Sequence, residues 1–292
     1  MTTAAIGIAR REGTAGPIAD AAATYVSDAT GHTAVALVDG MGHDPDIVRL
    51  APMLAETAAR VGAGRGALAG LLSAGLLVAD PGPDAVGVLS VIRKDGSGAE
   101  VVWAGDCRAW RWDGEALQQL TTDHNMAAYL GRAAGADVPV TALADFVGVT
   151  LGIAVPATVP YVWVAAGGLL VLTSDGVHDQ VQRDVIEALV REHEGDSQAL
   201  ADALVAAAEP NPEGYRDDAT AVVIRHDAPA ADAPLLSPAT AMRLGELWNM
   251  ARDLDPEVRE RVDAAVHQVM TTESADAALA LVAELRAAGL TW

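Results

Sequence analysis

Four short apolar runs in this chain lead into or follow an aspartate, and that pattern constrains the fold more than any other feature. Residues 35–38 run into Asp39-Gly40, residues 101–105 into Asp106, and residues 169–174 into Asp175-Gly176. Asp217 stands just ahead of the run 219–224. Apolar runs this short, rich in valine, isoleucine and leucine, read as strands rather than helices. In an antiparallel sheet the end of one strand lies beside the start of its neighbour. Acids that follow some strands and precede another can therefore meet at one edge.

Glycine, proline and aspartate punctuate the rest. Asp44-Pro45 supplies an N-cap and a first-turn proline for a helix to about residue 60. Residues 62–66 are expected to break it, and 67–78 reads as a second, very apolar helix. Strands are expected at 85–93, 100–104 and 109–112, a helix at 126–134, then strands at 159–164 and 169–173. Gly167-Gly168 between the last two is a hairpin signal. Helices at 183–193 and 197–208 precede a final strand at 219–225. Asp113-Gly114 is an ordinary turn. Residues 1–226 thus read as one domain and 227–236, rich in Ala, Pro and Asp, as a linker. Residues 237–292 read as a helical appendage, with Leu244, Leu247, Trp248 and Ala251 on one face and Val258, Val262, Val266 and Val269 on another. A third helix carries Leu279, Val282 and Leu285. The appendage fits a dimerisation or partner-docking module as well as helices that cover their own domain.

Charge narrows the partners. Nineteen basic residues against 40 acidic ones leave a net charge of −21, which repels nucleic acid and anionic lipid. No apolar run is long enough to span a bilayer, and residues 1–11 lack the order of a secretory signal. A cytoplasmic protein is expected, with neither nucleic acid nor membrane as partner. The single cysteine, Cys107, excludes an internal disulfide and a multi-cysteine zinc site. Carboxylates brought together raise one another's pKa unless a cation sits among them. All-oxygen donors suit Mg²⁺, Mn²⁺ or Ca²⁺.

The motifs D-G-M-G (39–42), G-D-C-R (105–108), L-T-T-D-H-N (120–125), T-S-D-G-V-H-D (173–179) and D-D-A-T (217–220) resemble, in order and spacing, those of the metal-dependent serine/threonine phosphatases of the protein phosphatase 2C type. The resemblance spans about residues 5–226. It implies an α+β fold, a four-layer αββα sandwich of two antiparallel sheets flanked by helices. It also implies Mn²⁺ or Mg²⁺ as cofactor, two ions with room for a third, and a phosphorylated protein as substrate in a signalling role. Position by position, Asp39 resembles the carboxylate that bridges two metals and the Gly40 carbonyl a ligand of the first. Asp175 and Asp217 resemble ligands of the second, and Asp106 and Asp179 match acids that hold a third ion in some members. The implied reaction is hydrolysis of a phosphoester by a water shared between the ions.

The chain departs from that pattern on the substrate side. Of the first motif only Asp20 remains, the phosphate-binding arginine position is Ala15, and a glycine position is His43. Arg10 and Arg11 are the arginines available nearby. The alternative reading is a metal-binding regulatory or binding module of the same fold with weak or no turnover. His43 reads as a turn residue or as a general acid, whereas His124, His178, Cys107 and tryptophans 103, 110 and 112 read as structural. Arg108 is expected to tie its hairpin to a carboxylate or carbonyl.

Overall fold

The computed structural model describes residues 4–134, 143 and 146–226, together with positions 258, 260, 261, 264, 281 and 284. The chain divides into two compact units, Met1–Pro229 and Ala230–Trp292. In the second, Arg261 Nε donates to Glu284 at 3.2 Å and Leu281 is buried. The expected linker and most of the appendage lie outside the described residues.

The first unit is built on ten strands and six helices among the described residues: β1 Ala5–Arg11, β2 Ala21–Val26, β3 Thr33–Gly40, α1 Pro45–Arg65, α2 Ala67–Gly75, β4 Ala85–Ile92, β5 Gly98–Ala104, β6 Arg108–Trp112, β7 Leu117–Gln119, α3 Met126–Ala134, β8 Tyr161–Ala165, β9 Leu169–Thr173, α4 Asp175–His178, α5 Arg183–Glu192, α6 Ser197–Ala206 and β10 Ala219–Arg225. One sheet has the order β1-β10-β9-β6-β7 and the other β2-β3-β4-β5-β8. Every strand pair is antiparallel.

Alternation along each strand generates the layers. On β3, Ala34, Ala36 and Val38 join Leu54 of α1 and Leu71 of α2 in one core. Val35 and Leu37 point the other way, into a second core with Leu172, Val222 and Ile224 of the opposite sheet. A third core joins Trp112, Val171 and Val223 to Ile186 of α5 and to Leu200 and Leu204 of α6. These three apolar seams produce the helix–sheet–sheet–helix sandwich. Strands covered on both faces read as continuous apolar runs, and β4 is buried at every position.

Three expectations are corrected. Helix α1 does not end near residue 60 but runs through Gly62 to Arg65, and of the residues expected to break it only Gly66 does. A Cβ at Gly70 would meet Ala58 O at 2.5 Å and Gly62 Cα at 2.7 Å, so these glycines let α1 and α2 pack backbone to backbone. The break falls at Gly66, at φ 95°, and α2 stops at Gly75 rather than 78. Nor do β8 and β9 form a hairpin. β8 pairs with β5, and β9 lies between β10 and β6 in the other sheet. Gly167 and Gly168, at φ 101° and 83°, turn the chain from one sheet to the other. A glycine pair permits a reversal but does not choose the sheet: β8 takes the edge beside β5, and β9 takes the central position between β10 and β6. The edge strands β1, β2 and β7 gave no signal in the sequence reading.

The central seam between the sheets sets stability. Leu172→Ala, at a fully buried position, should cost about 2–5 kcal/mol. Leu76→Ala, at a position 85% exposed, should stay within about 0.5 kcal/mol. Urea denaturation of both variants checks this; equal midpoints would contradict the layer assignment.

Candidate functional site

Ladder register brings the acids together. Ala21 pairs with Val38, so Asp20 and Asp39 come next at the same end of β2 and β3. In the other sheet Thr173 pairs with both Ala221 and Arg108. Asp175, Asp106 and the pair Asp217-Asp218 therefore leave β9, β6 and β10 at a common end. Ser174 N donates to Thr220 O at 3.0 Å and Thr220 N to Ser174 Oγ at 2.9 Å, which extends the zipper to the base of the site.

Two glycines allow the close approach. A Cβ at Gly176 would lie 2.0 Å from Asp218 O, and one at Gly40 would lie 2.8 Å from Ala19 O. The space beside each Asp-Gly pair is thus filled by the neighbouring backbone, which draws Asp175 toward Asp217-Asp218 and Asp39 toward Asp20. Asp39, Asp175 and Asp217 keep partial solvent exposure, while Asp20, Asp106 and Asp218 are buried.

The electrostatics follow from that crowding. Burial pushes Asp39 well above the usual carboxylate range, with Asp175, Asp20 and Asp106 adding to the rise. Asp175 is raised by burial and then by Asp217, Asp106 and Asp20. Burial carries Asp20 up to about 7 against the opposing pull of Thr220 and Ser174, and its Oδ2 is buried with no hydrogen-bond partner. Asp106 is pushed up to about 6 by burial, with Asp123 and Asp179 adding to it. Among the described residues, no group of three or more His, Cys, Asp or Glu side chains is arranged so that it could hold a metal ion. The acids instead influence one another in a chain: Asp39 with Asp20 and Asp175, and Asp175 with Asp217.

The remaining expected residues sort cleanly. Asp179 is half exposed and lies 3.7 Å from Arg108, whose guanidinium grips Asp123 at 2.7 Å through Nη2 and at 3.1 and 3.2 Å through Nε. Arg108 thus ties its strand to the Asp123 loop, as the sequence suggested. His178 is buried, its Nδ1 2.8 Å from Thr173 Oγ1, and burial holds its pKa well below the usual value. His124 Nδ1 accepts from Gly105 N at 3.2 Å and its ring stacks on Trp103. Cys107 lies in the seam between the sheets, its thiol pushed well up by burial and by the surrounding aspartates. Asp84 is absorbed in structure: its carboxylate accepts from Thr150, Ala85 N and Gly152 N.

Three neighbours of the acids were not among the expected site residues. Asp20, read only as a motif remnant, lies in the middle of the cluster. Buried Asp218 accepts from Gly13 N and Ala19 N, both at 2.7 Å, and so pins the loop between β1 and β2. Tyr215 lies beside Asp217, and burial and that carboxylate raise its pKa. The doubled aspartate at 217–218 was the one available signal for Asp218. Tyr215 had none.

No family model matches the chain, and no curated protein matches its sequence. Solved structures match it in fold. The serine/threonine phosphatase Stp1 from Staphylococcus aureus is 17% identical with a TM-score of 0.61, over 77% of this chain and 95% of that one. The PPM Ser-Thr phosphatase MsPP from Mycobacterium smegmatis, solved in complex with cacodylate, is 24% identical with a TM-score of 0.61, over 77% and 98%. PstP/Ppp from Mycobacterium tuberculosis is 20% identical with a TM-score of 0.58, over 77% and 99%. The two five-stranded antiparallel sheets and their flanking helices therefore have the fold of the PPM-type serine/threonine phosphatases, an α+β sandwich, as the motifs implied.

Proposed function

We propose that this chain is a metal-dependent phosphoric monoester hydrolase acting on phosphorylated serine or threonine in a cytoplasmic signalling protein. One observation carries the reading: carboxylates from both sheets meet at one edge, where their mutual repulsion is relieved only by protons or by a cation. The oxygen-only donor set and the unpartnered Asp20 Oδ2 fit Mn²⁺ or Mg²⁺. When bound, two such ions lower the pKa of a nucleophilic water and neutralise charge on the transferring phosphoryl group.

The chain's own residues have distinct parts in this reading. Asp39, with Asp20 on one side and Asp175 on the other, and the Gly40 carbonyl would hold a first ion. Asp39, Asp175 and Asp217 would hold a second, with Asp20 supporting both. Asp106 and Asp179, which border Arg108, would hold a third. Cys107 takes no part, since a thiol among carboxylates in an apolar seam stays protonated. A second reading, a metal-binding regulatory module of the same fold with weak or no turnover, is favoured by the loop between β1 and β2, which has Ala15 where the motif has arginine.

Turnover of p-nitrophenyl phosphate separates the two. A phosphatase should require Mn²⁺ or Mg²⁺, lose activity with chelator, and fall to background in Asp39→Ala and Asp175→Ala. Metal binding without turnover in the wild type would select the regulatory module. Cys107→Ser should keep activity within a few-fold; its complete loss in a folded, metal-loaded protein would overturn the metal-and-water mechanism. Because Asp20 and Asp106 are raised to about 7 and about 6, bound protons compete with metal below those values. The Mn²⁺ concentration for half-maximal activity should therefore fall as pH rises from about 5.5 to 7.5. A flat dependence would contradict the assigned ligands.

A further inference from the structure

A phosphoryl group entering this edge meets a negative field and needs a hydrogen-bond donor from the protein as well as the ions. Most nearby cationic side chains are engaged elsewhere. Arg11 Nη1 donates to the carbonyls of Val205, Ala206 and Ala208 at the end of α6. Arg216 Nη2 donates to Glu12 O at 2.8 Å, Arg108 is held by Asp123, and Arg10 Nη1 donates to Asp20 O at 3.1 Å.

His43 is placed differently. It lies in the turn just after Asp39 and Gly40 end β3, and its side chain is 22% exposed. Its Cβ lies 3.0 Å from where a Cβ on Gly16 would be, which sets it against the loop between β1 and β2 next to Ala15. Its Nδ1 is buried without a hydrogen-bond partner and faces Asp218 Oδ2 at 3.6 Å. Asp218 is fixed in turn by Gly13 N and Ala19 N. A carboxylate facing one ring nitrogen sets the orientation of an imidazole and directs the other nitrogen away from it.

We infer that His43 contacts the phosphoryl oxygens of the substrate through Nε2, and that Asp218 is the positioning residue that holds its ring. This rests on the phosphatase reading and names the protein group on its substrate side. The contact replaces in kind, from the turn after β3, what an arginine at position 15 would supply from the facing loop.

The test is calorimetric titration of inorganic phosphate into the Mn²⁺-loaded full chain. His43→Gln should weaken phosphate binding about tenfold, the size of one hydrogen bond to a charged group. Asp218→Asn should weaken it less, and Arg10→Ala should leave it unchanged. Mn²⁺ affinity of His43→Gln should equal that of the wild type, and any turnover should show the loss mainly in KM. A merely structural His43 would lower the melting temperature and leave phosphate affinity intact, which would overturn the inference. A loss confined to Arg10→Ala would also overturn it, as would a wild type that binds no phosphate. Phosphate binding that depends on His43 without metal-dependent turnover would sustain this contact and reject the phosphatase reading.

Discussion

Carboxylates repel, and at the common end of its two sheets this chain holds Asp20, Asp39, Asp106 and Asp175 within one another's field. Each is raised above the ordinary carboxylate range first by burial and then by its neighbours. The linkage has a definite sign. A carboxyl whose folded pKa is raised contributes stability below its unfolded pKa and loses it as pH rises through the folded value. For Asp20 that window runs from the ordinary 3.8 to about 7. Without a cation the edge works against the fold at neutral pH.

The rest of the unit is arranged to withstand that cost. Three apolar seams lock the layers, and the paired strands continue into the site through Ser174 and Thr220. Asp218 spends its charge on two backbone N–H groups, and Asp123 spends its charge on Arg108. These acids act as struts. Asp39, Asp175 and Asp217 remain partly open to solvent, where an ion and a substrate can reach them.

The layered fold was legible only through the motifs' resemblance to a known family. Most elements of the first unit were legible in the sequence because strands buried on both faces and bounded by Asp-Gly leave strong local signals. The acids at strand ends were legible for the same reason. The partners of β8 and β9 were not, since a glycine pair marks a turn without saying which sheet each strand joins. Of residues 62–66, Gly66 does break the helix, but Gly62 does not, because a glycine that admits a close helix–helix contact looks locally like a helix breaker. Asp218 and His43 belong to the loop contacts of distant segments, Gly13 to Ala19 with residues 43 and 218. No local period reports a contact that bridges about two hundred residues of chain. Asp20 stood in plain view, but its weight in the cluster comes from pairing opposite β3.

The account turns on whether these acids are kept together for a cation. Thermal unfolding of the wild type and Asp39→Asn, each at about pH 8 with chelator and then with Mn²⁺, tests this directly. Removing one charge from the cluster should make Asp39→Asn melt above the wild type in chelator. Mn²⁺ should then raise the wild type by preferential binding to the folded state, leave the variant nearly unmoved, and reverse the order. A variant that melts below the wild type in chelator and gains as much from Mn²⁺ would contradict the account.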